Sequence, residues 1–109
     1  MRQVIRNAKF VSGQRRDIVV EQGEIVEVST EYQGEGQTIT IPENAYVSAG
    51  WIDLHTHAFP KYRPYGAEAD EIGWNTGVTT VVDAGTVGAN DIGEFHAYAQ
   101  KRKSRVLSF

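Results

Sequence analysis

The stretch Gly50-Trp51-Ile52-Asp53-Leu54-His55-Thr56-His57 decides how this chain reads. Along an extended strand successive side chains alternate faces, so Asp53, His55 and His57 project to one side. Two imidazoles at i and i+2 on one face can hold a single metal ion from a rigid strand end, and neutral imidazole nitrogen is a standard ligand for zinc and similar ions. For a bare His-x-His motif, a hydrogen-bonded pair of core histidines is the commoner outcome. Here the strand context, the preceding acid and the loop that follows favour a metal. A second stretch, Gly77-Val78-Thr79-Thr80-Val81-Val82-Asp83-Ala84-Gly85-Thr86, is a β-branched apolar run ending in an acid and a glycine turn. That is the pattern of a strand buried on both faces in a parallel sheet.

Around these two stretches the chain changes character once, after Asn44. Residues 1–45 read as short strands. Val4 to Phe10 comes first, followed by a polar turn at Ser12-Gly13-Gln14. Asp17 to Glu21 and Glu24 to Ser29 then flank Gln22-Gly23, a tight-hairpin signal. Tyr32 to Gln37 suits a loop, and Thr38 to Ile41 is a short strand stopped by Pro42. The expectation is a small N-terminal β-sandwich segment built from antiparallel meanders.

Residues 46–109 read differently. A strand from Tyr46 to His57 is followed by a proline-containing loop, Ala58 to Tyr65. A short helix from Glu68 to Thr76 is closed by Gly77. After the strand Val78 to Asp83, Asp91 and Glu94 stand in capping-box spacing at the head of a second helix. Ile92, Phe95 and Ala99 give that helix an apolar stripe. Another strand begins at Ser104. Strand, helix, strand, helix, strand is the unit of parallel α/β architecture, so the fold class is α/β. The expectation is the first strands and helices of a (β/α)8 barrel, which typically needs about 250 residues and is therefore incomplete in this chain.

Composition excludes some classes. Hydrophobic residues make up 40%, charged residues 23%, and the formal net charge is −3. The cluster Lys101-Arg102-Lys103 with Arg105 sits where a helix ends and its dipole favours cations, so no nucleic-acid partner is expected. The absence of cysteine excludes disulfides and thiolate metal sites and fits a cytoplasmic protein. No apolar run approaches membrane-spanning length, and Met1 to Arg6 lacks the apolar core of a signal peptide.

Functional groups in α/β barrels gather at the carboxyl ends of the strands, where His55, His57 and Asp83 stand. A catalytic zinc usually takes three protein ligands plus a water. His96, within the second helix, reads as a partly exposed helix residue rather than a third ligand. Asp53 can orient a histidine from behind or simply pair with a backbone group, and the two readings weigh equally. Asp83 can approach the site or cap the turn after it, with the cap favoured. Lys61 and Arg63 read as solvated loop charges.

With its strand-rich lead-in, Gly50 to His57 resembles the start of the amidohydrolase superfamily, and Gly77 to Thr86 resembles that superfamily's second barrel strand. The hairpin Asp17 to Val28 is similar to the N-terminal sandwich of its members. Ala49 stands where the family usually has proline, which touches no ligand. The pieces His57-Ala58-Phe59-Pro60-Lys61, Asp70-Glu71-Ile72-Gly73 and Asp83-Ala84-Gly85-Thr86 look most like the dihydroorotase-like amidohydrolase/deacetylase proteins. True dihydroorotases carry Leu-Arg after the second histidine and Met-Pro-Asn after the strand-two aspartate. Here those places hold Ala58-Phe59 and Ala84-Gly85-Thr86, which speaks against dihydroorotase activity and not against the metal chemistry.

The resemblance implies that His55 and His57 ligate the more buried of one or two divalent ions, zinc foremost. It also implies that a carboxylated lysine, two further histidines and the catalytic aspartate come from later strands. No catalytic residue is therefore expected within these residues. The implied parent is a metal-dependent, deacetylase-like hydrolase of small-molecule amides or esters, with this part inactive alone. A cyclic amidase of the dihydroorotase or hydantoinase kind is one alternative, and a non-catalytic β-rich module with structural histidines is another. An open barrel edge should self-associate or pair with the rest of the parent chain.

Overall fold

The structure, a computed structural model, describes residues 1–109. The chain divides into two compact units, Met1–Ala49 and Gly50–Phe109.

In the first unit β1 (Arg2–Lys9), β2 (Arg15–Glu21) and β3 (Glu24–Ser29) form an antiparallel sheet. β4 (Gln37–Ile39) adds to the free edge of β1 in parallel, giving the order β3-β2-β1-β4. The expected sandwich of meanders is thus a single mixed sheet within these residues. The chain between β3 and β4 crosses to the far edge instead of turning back on itself. Val4, Ala8, Ile18 and Val19 are buried, whereas Ile25, Val26 and Val28 on the edge strand β3 stay more than half exposed.

One acid organises this unit. Asn7 takes a left-handed conformation (φ +54°) at an irregularity in β1 between Ile5 and Ala8. The buried Asp17 carboxylate accepts the Asn7 amide at 2.7 Å and the Tyr32 amide at 3.0 Å, and it pairs with the Arg6 guanidinium at 2.9 Å. The two amides, then Arg6, hold this carboxyl below the usual carboxylate range. Tyr46 to Ala49, expected to begin the next strand, lie with this unit: the Val47 amide donates to the Lys9 carbonyl at 2.8 Å, and the Lys9 ammonium sits 4.7 Å from the centre of the Tyr46 ring.

In the second unit β5 (Trp51–Thr56), β6 (Val78–Asp83) and β7 (Arg105–Ser108) form a parallel sheet in sequence order. The connections carry α1 (Ala69–Ile72) and α2 (Ile92–Ala99). The sheet is open, with three strands. α1 is shorter than the sequence suggests, because the Gly73 amide closes on Ala69 and the chain continues as a 3-10 turn, Trp74–Thr76. Gly77 then ends that turn in the left-handed conformation (φ +84°). β6 is central, and its buried Val81 packs with Ala58 and Ala69 against Ile72, Val78, Tyr98 and Val106.

Phe59, in the loop after β5, meets Phe95 edge-on at 5.4 Å between ring centroids and Tyr98 at 5.2 Å. This aromatic contact carries the loop on α2. The capping box at Asp91 does not form. Asp91 stands at the N-cap, but its side chain is taken by the Tyr62 hydroxyl and by the Lys61 ammonium, which also pairs with Glu94. Lys61 is exposed, as is Arg63, but it also ties its loop to Asp91 and Glu94. No helix is long and apolar enough to cross a membrane.

Candidate metal centre

β5 is an edge strand, and its apolar Trp51, Ile52 and Leu54 are each more than 60% exposed. His55 is the penultimate residue of the strand and His57 follows its last residue. The two rings stand edge to face, 5.9 Å between centroids, and both are exposed.

The spacing of the pair leaves room for one divalent ion between the rings. With a zinc–nitrogen distance near 2.1 Å, an ion lies about 3.2 Å from a ligating ring's centre, so two rings on one ion have centres at most about 6.4 Å apart. The observed spacing falls inside that limit. No group of three or more His, Cys, Asp or Glu side chains converges in this chain. His96 lies exposed on α2.

Both acids near the pair hold backbone amides, Asp53 through one oxygen and Asp83 through both. Asp53 Oδ1 accepts the backbone amide of His55 at 3.0 Å, fixing the strand end from which the imidazole extends. Asp83 is fully buried at the end of β6, and both its oxygens are in use. Oδ2 accepts the Ala58 amide at 2.7 Å, and Oδ1 accepts the Thr86 amide at 2.6 Å. This carboxylate caps its own turn and also ties down the residue next to His57. Further links draw the two strand ends together. The Thr56 hydroxyl donates to the Val82 carbonyl at 3.0 Å, and the Ala84 amide donates to the Thr56 carbonyl at 2.8 Å. The Ala67 amide closes the loop on the His57 carbonyl at 2.8 Å.

One residue at the site goes unnoticed in the sequence. Thr86 Oγ1 lies 2.7 Å from His57 Nδ1, across a separation of 29 residues. Thr86 closes the second decisive stretch, but nothing in the periodicity of a single strand reports a partner on its neighbour.

No protein-family model matches the chain. A curated deacetylase of Enterococcus faecalis (strain ATCC 700802 / V583) is 43% identical over 105 residues, which is 95% of this chain and 28% of that protein. A deacetylase of Agrobacterium fabrum (strain C58 / ATCC 33970) is 33% identical over 89 residues, covering 80% of this chain and 22% of its own length. Among solved structures, an adenine deaminase matches with a TM-score of 0.85 at 42% identity, over 98% of this chain and 29% of that one. A dihydroorotase matches with a TM-score of 0.82 at 29% identity, over 99% and 30%. The chain therefore spans less than a third of the length of the curated relatives it matches. Sequence and fold agree, and on both the chain belongs to the amidohydrolase superfamily.

Proposed function

We propose that the protein to which these residues belong is a metal-dependent hydrolase of the deacetylase kind, cleaving an acyl–nitrogen or acyl–oxygen bond of a small molecule with water. The observation that carries this reading is the exposed His55–His57 pair at the carboxyl end of a parallel strand, with centroids close enough to share one ion. The deacetylase relatives, at 43% and 33% identity, support the acyl chemistry.

In this reading His55 and His57 each supply one neutral imidazole nitrogen. Asp53 fixes the backbone under His55, and Asp83 fixes the backbone beside His57, so the chain that carries both rings is held in place. When bound, a divalent ion, zinc foremost, supplies Lewis acidity towards the substrate carbonyl and towards water. The remaining ligands and the group that moves the proton come from outside these residues, so the 109 residues alone should be inactive. The same partition makes the exposed edge of β5, with Trp51, Ile52 and Leu54, a seam for further strands of the same protein. The cysteine-free sequence supports a cytoplasmic setting.

A cyclic amidase is the second reading, favoured by the match to a dihydroorotase. Hydrolysis assays on the full-length protein separate the two, using N-acetylated amines and amino acids, acetate esters, and cyclic amides such as dihydroorotate and hydantoins. The proposal expects release of acetate that is lost in His55→Ala and His57→Ala. Turnover of the cyclic amides alone would shift the assignment to the second reading, and full activity in both variants would refute the metal assignment.

A further inference from the structure

We propose that Thr86 is a positioning residue for His57: its hydroxyl oxygen accepts the Nδ1–H of the imidazole and leaves Nε2 as the ring's lone-pair donor. The inference rests on the reading of His57 as a ligand. It assigns a role to a residue that neither the motif nor the ligand pattern marks.

A neutral imidazole carries one proton, and the nitrogen that holds it is set by the hydrogen bond the ring makes. Thr86 Oγ1 stands 2.7 Å from Nδ1, a full hydrogen-bond distance. The contact is built rather than incidental, because both of its ends depend on one buried carboxylate. Asp83 Oδ1 accepts the Thr86 amide at 2.6 Å, while Asp83 Oδ2 accepts the amide of Ala58, the residue bonded to His57, at 2.7 Å. Asp83 is fully buried, so it cannot swing to serve one end without abandoning the other. Gly85, in the left-handed conformation (φ +87°), turns the chain so that the Thr86 side chain reaches back across the strand ends. His57 is thereby held twice, through its backbone neighbour and through its ring.

Outer partners of ligating histidines fix tautomer and ring orientation, and their loss typically costs about 10–100-fold in metal affinity. Valine matches the shape of threonine without the acceptor, and serine keeps the acceptor without the methyl. The test uses the full-length protein, with zinc affinity from chelator competition and the visible spectrum of the cobalt(II) form as readouts. Thr86→Val should weaken zinc by about 10–100-fold and change the cobalt spectrum, with the melting temperature of the metal-free protein unchanged. Thr86→Ser should restore both readouts. In a His57→Ala background, Thr86→Val should cost nothing more. Should Thr86→Val melt early, Thr86→Ala, which adds no bulk, takes its place beside Thr86→Ser, with weak and strong binding expected in turn. Zinc affinity unchanged in the hydroxyl-free variants, or an equal loss without His57, would overturn the proposal while leaving the metal assignment standing. Unchanged affinity in His57→Ala would overturn both.

Discussion

Replacing Asp83 tests whether one buried carboxylate joins the ends of β5 and β6. Its two oxygens accept the amides of Ala58 and Thr86 at 2.7 and 2.6 Å, at a position with no solvent exposure. In Asp83→Ala both amides lose their acceptor, and a buried amide left unpaired costs about 1–3 kcal/mol. Two such losses sum to about 2–6 kcal/mol, and removing a buried charge returns part of its desolvation penalty, so a net of about 2–4 kcal/mol is expected. Asp83→Asn keeps the shape and one acceptor but turns an NH2 group towards the other amide. It forfeits one charge-assisted bond, at about 1.5–3 kcal/mol. Hydrogen exchange of the full-length protein, read at the amides of Ala58 and Thr86, localises the effect, and denaturant unfolding gives its size. Both amides should lose protection in the alanine variant and one of the two in the asparagine variant, while the amides of β2 stay as they are. A stability change within about 0.5 kcal/mol, the range of an ordinary surface substitution, with both amides still protected would refute the clamp.

Three further outcomes follow from particular contacts. Asp17 has a carboxyl pKa below its unfolded value, so its contribution is complete above the unfolded value and is lost as pH falls through the folded one. Thermal melting should therefore weaken on acidification below about pH 4, and Asp17→Asn should flatten that dependence. A side chain added at Gly66 would place its Cβ 1.8 Å from the Phe59 carbonyl oxygen, a backbone atom that cannot rotate away. Gly66→Ala should cost about 1–3 kcal/mol and open the 58–66 loop to protease, whereas Gly88→Ala, with open space around it, should do neither. Phe95 is buried against Phe59 and Tyr98, and Phe95→Ala should cost about 3–5 kcal/mol in denaturant titration.

The parts of this chain that a reader of the sequence can place are those set by local patterns. Val78 to Asp83 reads as a buried strand because β-branched residues run unbroken into an acid and a glycine, and β6 has those bounds. Gly77 reads as a helix terminator, and it ends the 3-10 turn after α1. The histidine pair reads as one-sided from its spacing, and its rings do meet. Pairings that skip along the chain stay hidden. β4 joins β1 in parallel because register between distant strands is set by what is left to pair, which residues 30–36 do not encode. Asp91 looks like a helix cap, but Tyr62 and Lys61, about 30 residues earlier, outcompete the local amides for its oxygens. Thr86 and His57 meet for the same kind of reason, each just past the end of one of two neighbouring strands. Within these residues no group of three or more His, Cys, Asp or Glu side chains gathers, so neither sequence pattern nor structure points to a third partner for the pair.

The central claim is that His55 and His57 hold one metal ion, and anomalous diffraction from metal-replete crystals of the full-length protein tests it most directly. Data collected on either side of the zinc absorption edge should show a peak about 2.1 Å from one nitrogen of each ring, with Nε2 the ligating atom of His57 and Thr86 still on Nδ1. A peak seated elsewhere, with both imidazoles hydrogen-bonded to protein groups, would contradict the claim.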